Sequence, residues 1–185
     1  SDNQYLEYVY TLPKEGYMLD LVVRSQGLAG AVNTSKPMNI DWKLQARRME
    51  KSVTYENRYT QAAIQYEGDR INRMSQAGND EQKEEKVSWV AYKQHLFTSV
   101  LISDNPFEKG DFVSHNIAMN EGKEVKYTKN FLTSLPVKAK SGELSESLHF
   151  YFGPSDYNVL KQYNDKYELT ELIPLGWGIF GWINK

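Results

Sequence analysis

Three histidines, His95, His115 and His149, are the residues of this chain best suited to acid–base or metal chemistry. No two of them have the close spacing of a metal-binding helix, and the chain has no cysteine to complete a metal site or to act as a nucleophile. Each histidine lies in a strand-like context, which favours a structural role, although a cluster formed in space stays open as an alternative. The sequence therefore predicts no metal and no cofactor.

The carboxylates and glycines show no clearer catalytic pattern. Glu146 and Asp156 come nearest to the apolar setting that raises the pKa of a catalytic carboxyl group, but surface placement is the preferred interpretation of both. The sequence has no Gly-x-Ser-x-Gly motif, no phosphate-binding glycine loop and no dinucleotide fingerprint. We therefore predict that the chain is not an enzyme.

Composition and charge narrow the choice of partner. The formal net charge is -2 and the isoelectric point is near 6.0, so nothing attracts the whole chain to nucleic acid. The densest basic stretch, residues 43–51, also contains Glu50 and is interpreted as a solvated strand end. Aromatic residues make up 13% of the chain, and packing is preferred over a ligand platform as their use. These features indicate a β-rich binding or scaffolding domain.

Alternation of apolar and polar residues predicts a mainly β fold. Residues 17–24 and 38–45 alternate most clearly. Residues 60–74 are predicted to form a hairpin that turns at residues 67–69. Residues 47–59 lack strand alternation and are compatible with a short helix.

The middle of the chain divides into a polar and an apolar stretch. Residues 76–86 are charge-rich and are predicted to form a solvated loop. Residues 87–103 carry β-branched and aromatic side chains on both faces, which predicts a position in the middle of a sheet. The dipeptide Asn105-Pro106 is expected to end this stretch, and residues 108–110 are expected to form a turn.

The remainder of the main body is predicted to contain further strands and one helix. Residues 111–119, 123–133 and 135–140 have strand character, and the chain then turns at Ser141-Gly142 into a strand over residues 144–154. Ser155 or Asp156 is a suitable N-cap for the helix that follows.

The last residues differ from the rest of the chain. As a helix, LGWGIFGWI (residues 175–183) would be apolar around nearly its whole circumference, which requires either a protein core or lipid. It is shorter than the ~20 residues that span a bilayer, and tryptophan favours the membrane–water interface. Pro174 is well placed near a helix start. We prefer an interfacial helix that leads into a transmembrane span; the alternative is a terminal segment that docks on its own sheet.

Three segments, in this order, carry a resemblance to a known family: WVAYKQHLFTSVLI (residues 89–102), FYFGPSDYNVLK (residues 150–161) and LGWGIFGWI. Together they resemble the large periplasmic domain of the bacterial membrane protein insertase YidC, in the version found in Bacteroides-like bacteria. The segment YTLPKEGYMLDLVVR near the start extends the likeness over nearly the whole chain.

The resemblance implies a β-supersandwich of the galactose mutarotase type, truncated at its N-terminus, with a short helix and a C-terminal amphipathic helix. Residues 1–173 would form the periplasmic β-sandwich domain, with an exposed sheet edge where its N-terminal part is missing. Residues 174–185 would begin the interfacial helix, ahead of a transmembrane span that the sequence does not include.

The function implied by the resemblance is that of a non-catalytic domain of an insertase and chaperone at the periplasmic face of the bacterial inner membrane. It would assist the insertion and folding of inner-membrane proteins together with components of the Sec translocon, and it would touch the membrane surface through its C-terminal helix. This function would require no cofactor and would involve no nucleic acid.

Two sets of residues are predicted to carry these contacts. Membrane contact is assigned to Trp177, Phe180, Trp182 and Ile183, with Pro174 and Gly176 shaping the entry of the helix. Polypeptide contact is assigned to Trp89, Tyr92 and Phe97, for which simple core packing is an equal alternative.

Two other functions stay open at this point. One is a carbohydrate-binding or mutarotase-like domain in which His95 or His149 acts with a nearby carboxylate on a sugar hydroxyl. The other is a partner-binding module whose tail docks on its own core.

Overall fold

The computed structural model of this protein describes residues 4–28, 36, 38–118 and 125–173. Its strands are β1 (Tyr5–Thr11), β2 (Met18–Gln26), β3 (Met38–Arg47), β4 (Gln61–Tyr66), β5 (Arg70–Arg73), β6 (Asp80–Lys93), β7 (Phe97–Asn116), β8 (Tyr127–Val137) and β9 (Ser145–Pro154). Its helices are α1 (Val53–Tyr59), α2 (Tyr157–Lys161), α3 (Asn164–Tyr167) and a terminal 3-10 helix (Leu169–Leu172).

The strands pair antiparallel in a main sheet with a side branch. The order in the main sheet is β1-β2-β9-β7-β6-β4-β5, while β8 pairs with β7 and β3 pairs with β8. Strand β7 belongs to both parts because it is 20 residues long. Its residues 97–103 pair with β9, whereas its residues 111–116 pair with β8. The β6–β7 hairpin therefore connects the main sheet to the β3–β8 branch.

The β3–β8 branch packs over one face of the main sheet. The Trp42 ring of β3 stacks on Tyr92 of β6 at a centroid distance of 4.2 Å and meets Phe150 of β9 edge-on at 5.9 Å. The Tyr92 hydroxyl lies 3.0 Å from the Trp42 carbonyl oxygen and 2.6 Å from the Thr133 hydroxyl of β8. Two layers thus enclose one apolar core, an arrangement consistent with a β-sandwich. The mainly β fold predicted from the sequence is confirmed.

The helices at the end of the described chain cover the opposite face of the main sheet. Leu160, Leu169 and Leu172 form a second buried cluster with Trp89 and other apolar residues of the sheet. The indole N–H of Trp89 donates a 3.0 Å hydrogen bond to the carbonyl oxygen of Tyr167. These helices are short, and no helix among the described residues has the length and hydropathy of a membrane span.

Strand β6 lies between these two clusters. Trp89 and Ala91 point toward the helices, while Val90 and Tyr92 point toward the β3–β8 layer. The prediction that residues 87–103 run through the middle of a sheet is therefore confirmed. They form two strands, however, because the chain reverses at residues 94–96.

Several local predictions are confirmed. Strand β3 alternates between half-buried and exposed residues along its first eight positions. The hairpin of β4 and β5 turns at residues 67–69, where Glu67 and Gly68 both have positive φ. Asp156 is the N-cap of α2, and its Oδ1 accepts from the backbone N–H groups of Asn158 and Val159. A short helix, α1, lies within residues 47–59.

The prediction of a solvated loop over residues 76–86 is wrong for its second half. Residues 80–86 belong to β6, and residues 80–85 lie opposite residues 109–114 of β7. Their charges sit on strand positions that alternate between half-buried and exposed. A charge-rich sequence therefore forms a strand here, because the long partner strand satisfies its backbone groups.

The predicted break at Asn105-Pro106 and the predicted turn at residues 108–110 are also wrong, since β7 continues through both. Pairing with β6 passes from Ile102 to Phe107 with a register shift, so Pro106 lies in a bulge and needs no ladder hydrogen bond. Gly110 serves close packing, because a Cβ atom there would lie 2.6 Å from the Phe112 ring.

The strands predicted after this point are fewer and longer than expected. The stretch 111–119 supplies the end of β7, and most of 123–133 and 135–140 joins into the single strand β8. Pro136 stands inside β8 opposite Asn39 of β3. The final strand predicted at 144–154 is confirmed as β9.

The hydrogen bond from Trp89 predicts a specific cost for the conservative substitution Trp89→Phe. The variant loses the bond to Tyr167 and leaves a small cavity under the helices. We expect the free energy of unfolding in urea to fall by about 2–3 kcal/mol. Phe97→Leu, at an exposed site, serves as the control and should change it by less than about 0.5 kcal/mol. Equal effects of the two substitutions would contradict this role of Trp89.

Candidate functional site

His149 is the histidine with the most complete set of charged neighbours. Its Nδ1 lies 2.6 Å from Oδ1 of Asp20, and its Nε2 lies 3.1 Å from Oδ1 of Asp104. The Lys166 amino group of α3 lies 3.2 Å from the same Asp104 oxygen. Burial acts to raise the pKa of Asp104, but its contacts with His149 and Lys166 outweigh burial, and the pKa is lowered. The cluster ties α3 to β2, β7 and β9.

His95 lies in the turn between β6 and β7 and has a carboxylate of its own. Its Nδ1 is 2.8 Å from Oε1 of Glu50, and its ring packs against Tyr55 and Tyr59 of α1 at centroid distances of 5.1 and 4.8 Å. This packing joins α1 to the hairpin turn. It forms part of the structure between two elements of the fold.

The three histidines do not converge on one cleft. His95 is in the hairpin turn, His115 is near the end of β7 and His149 is in β9. Nδ1 of His149 is bonded to Asp20, and its Nε2 is buried 3.1 Å from Asp104 without hydrogen-bond geometry, so neither nitrogen is open to a sugar hydroxyl. Within the part of the chain that the structure describes, no group of three histidine and carboxylate side chains is arranged to hold a metal ion.

The residues predicted to contact polypeptide fall in different environments. Trp89 is 1% exposed and Tyr92 is 2% exposed, and they lie in the cores on opposite faces of β6. Their burial leaves no surface for a partner, as the core-packing alternative expected. Phe97 is 52% exposed at the start of β7. Polypeptide contact at Phe97 stays a prediction.

Phe97 is one of several exposed apolar side chains on one face of the main sheet, a feature that sequence reasoning missed. Strand alternation and register place it on the face of the main sheet that also carries the β3–β8 layer, near the end of that layer. The exposed members of this surface, which we name the aromatic face, are Leu6, Tyr8, Tyr10, Phe97 and Phe152. Alternation within β1 predicts that Leu6, Tyr8 and Tyr10 share a face. The register with β2 and β9 puts them on the same face of the sheet as the two phenylalanines, with Tyr10 level with Leu148, four residues along β9 from Phe152.

The aromatic face ends at the edge of the sheet. In the described part of the chain, β1 pairs with β2 alone, so its outer backbone groups face away from the sheet. Large exposed apolar surfaces and unpaired strand edges are both recognised by other polypeptide segments. The arrangement can therefore bind an extended chain by adding a strand and packing its side chains on the tyrosines.

Lys129 of β8 is a second feature that the sequence did not reveal. It is fully buried, and its Nζ donates to the carbonyl oxygens of Thr60, Gln76 and Ser75 at 2.7, 2.8 and 3.3 Å. Three carbonyl acceptors satisfy the three donors of an ammonium group. Lys129 thereby fixes the end of α1 and the loop after β5 to the β8 strand.

Comparison with known families identifies the chain. The family model described as the YidC periplasmic domain matches residues 1–185. The chain belongs to this family. The resemblance that the three sequence segments carry is therefore confirmed, and the sugar-processing alternative is not favoured.

Individual members of the YidC family support the assignment. Membrane protein insertase YidC of Bacteroides fragilis strain YCH46 is 33% identical over 98% of this chain. The proteins of the same name from Porphyromonas gingivalis strain W83 and Phocaeicola vulgatus are 33% and 31% identical over the same share. The chain spans 30% of the length of each of these relatives.

The residues predicted to contact the membrane lie outside the described residues. These are Trp177, Phe180, Trp182 and Ile183, together with Pro174 and Gly176. The last described residues are Leu172, which is buried between the 3-10 helix and the main sheet, and Ile173. The membrane contact therefore stays a prediction.

The buried Lys129 predicts a pH dependence of stability. Burial lowers its pKa to about 8 from its usual value of 10.5. Between these pH values the unfolded chain binds more protons than the folded chain, so the contribution of Lys129 to stability increases with pH. Relative to Lys129→Met, the free energy of unfolding of the wild type should rise by about 2 kcal/mol between pH 8 and pH 10.

Chemical denaturation of both proteins across this pH range measures the difference. Lys83→Met is the control, because the Lys83 side chain is 87% exposed. If the free energy of unfolding of the wild type changed with pH in parallel with that of Lys129→Met, the lowered pKa of Lys129 would be contradicted.

Proposed function

We propose that this chain is a non-catalytic periplasmic domain of a membrane protein insertase, attached to the inner membrane of a bacterium. The match of the YidC periplasmic domain family over residues 1–185 supports the proposal, as do relatives named membrane protein insertase at 31–33% identity. The domain positions the membrane-embedded part and assists the insertion and folding of inner-membrane proteins. Components of the Sec translocon are its expected partners.

The proposal divides the chain into two parts. Residues 1–173 form the periplasmic β-sandwich domain, and residues 174–185 begin an interfacial helix that leads toward the membrane. Trp177, Phe180, Trp182 and Ile183 carry the membrane contact in this scheme. Burial of apolar surface stabilises such contact by roughly 25 cal/mol per Å². The β-rich body supports this division by placing Leu172 firmly under the main sheet, two residues before Pro174.

The membrane contact predicts that the tail carries the affinity of this domain for lipid. Vesicles of neutral phosphatidylcholine should float the full chain, and deletion of residues 175–185 should reduce the floated fraction at least about fivefold. The control is Tyr10→Ala combined with Phe152→Ala, which removes exposed aromatic rings from the body and should leave flotation unchanged. Undiminished flotation of the shortened chain would contradict an interfacial role for the tail.

We further propose that the aromatic face contacts client polypeptides during insertion, with Phe97 as one of the contact residues. The support is physical: the exposed rings of Tyr8 and Tyr10 lie on the edge strand β1, and exposed phenylalanines lie farther along the same face of the sheet, which suits an extended chain better than a folded partner. Tyr92 is buried in the core on the same face of the main sheet, whereas Trp89 is buried on the opposite face, and neither takes part directly.

Photo-crosslinking in the full-length insertase tests the client contact. A benzoylphenylalanine at position 97 should crosslink to a radiolabelled inner-membrane protein caught during insertion. The same probe at Lys83 of β6, which is 87% exposed and paired with Asp111, should give at least about fivefold less product. A probe at position 97 that reacts only within the insertase itself would show that another part of the protein covers the aromatic face.

A further inference from the structure

A cleft lies between α1, the loop after β5 and the 3-10 helix. Its volume is about 650 Å³. Three basic side chains line it, Arg58 of α1, Arg73 of β5 and Lys93 of β6, and no carboxylate-bearing residue is among its lining residues in the described part of the chain. The other lining residues are Tyr59, Gln61, Met74, Ser75, Gln76, Ala77 and Leu172.

Among the residues that the structure describes, none forms an ion pair with the positive charges in the cleft. Arg73 donates one hydrogen bond of 2.6 Å to the backbone carbonyl oxygen of Glu171. The Lys93 amino group lies 5.9 Å from the centre of the Tyr59 ring. Burial, together with the nearby charge of Arg73, lowers the pKa of Lys93. An anion between these groups would relieve their repulsion.

Hydrogen bonds hold two elements that border the cleft in place, the loop after β5 and helix α1. The carbonyl groups of Ser75 and Gln76, which lie in the loop lining the cleft, accept hydrogen bonds from the buried amino group of Lys129. The Oε2 atom of Glu56 in α1 accepts from the backbone N–H groups of Met49 and Glu50. Its Oε1 atom is buried without a hydrogen-bond partner in the described residues, and Glu56 does not line the cleft. Both contacts keep the cleft formed without consuming its cations.

An extension with a mostly apolar lining continues the cleft beyond Arg58, Gln76 and Ala77. This neighbouring cavity has a volume of about 420 Å³ and is also lined by Asn57 and Asn116. The buried Oδ1 atoms of both asparagines have no hydrogen-bond partner in the described residues. Unpaired amide groups accept hydrogen bonds from hydroxyl groups, so the extension suits the hydroxylated part of a ligand.

We propose that this cleft binds a small phosphate ester, with the phosphate between Arg58, Arg73 and Lys93 and with hydroxyl groups toward Asn57 and Asn116. Guanidinium groups suit phosphate because they offer paired donors in one plane. A lipid headgroup of the glycerophosphate type and a free glycerol or sugar phosphate share this chemistry. The site belongs to the body of the domain and does not depend on a membrane role for residues 174–185.

Titration of the full chain with sn-glycerol 3-phosphate, followed by NMR at about 0.15 M salt, tests the site. We expect saturable binding, with shifts concentrated at Arg58, Arg73 and Lys93. Arg58→Gln combined with Arg73→Gln should weaken binding at least about tenfold, and both side chains are on exposed residues, so the fold should persist. A separate Lys93→Gln variant should also weaken the binding of glycerol 3-phosphate.

The matched control removes two cations elsewhere. Arg70→Gln combined with Lys83→Gln alters exposed residues paired with Glu67 and Asp111, and should change the affinity less than about twofold. A dissociation constant above about 10 mM, or equal weakening by the control pair, would overturn the proposal.

Vesicles separate the two sources of the phosphate ester. If the ligand is a headgroup, vesicles containing phosphatidylglycerol should bind the wild type more strongly than phosphatidylcholine vesicles, and the Arg58→Gln/Arg73→Gln variant should lose this difference. If it is a soluble ester, glycerol 3-phosphate should bind while the two kinds of vesicle bind alike. Because the variant retains the tail, its effect is distinct from a failure of the tail to reach lipid.

Discussion

The burial of both faces of the β6–β7 hairpin is the constraint on which the rest of the structure depends. A strand with Trp89 on one face and Tyr92 on the other requires an apolar layer on each side. The β3–β8 branch supplies one layer, and the short C-terminal helices supply the other. The helices are too short to be stable alone, so their order derives from the sheet they cover.

The length of strand β7 in the same hairpin creates the two-layer arrangement. Strand β7 pairs with β9 near its start and with β8 near its end, and a bulge at Pro106 separates the two regions. One strand pair therefore belongs to both layers. This continuity explains why residues that look like breaks and turns in the sequence stay within a strand.

The polar features of the body follow from this architecture. Lys129 is buried where β8 passes α1, and its three carbonyl partners join the branch to the loop after β5. The His149 cluster ties α3 to the sheet in a similar way. Both sets of contacts satisfy charged groups inside the fold, and both use partners distant in sequence. The basic cleft differs, because its cations face a space without a counter-charge among the described lining residues.

The sequence by itself determined the family, the β class, the central position of residues 87–103 and the N-cap at Asp156, because these depend on local residue types and their order. Tertiary structure alone decided that 80–86 form a strand, that Trp89 and Tyr92 are buried while Phe97 is exposed, and that Arg58, Arg73 and Lys93 surround one cleft. Pairing partners set these outcomes. A residue's exposure depends on what lies across the sheet from it, and the spacing of residues along a chain does not contain that information.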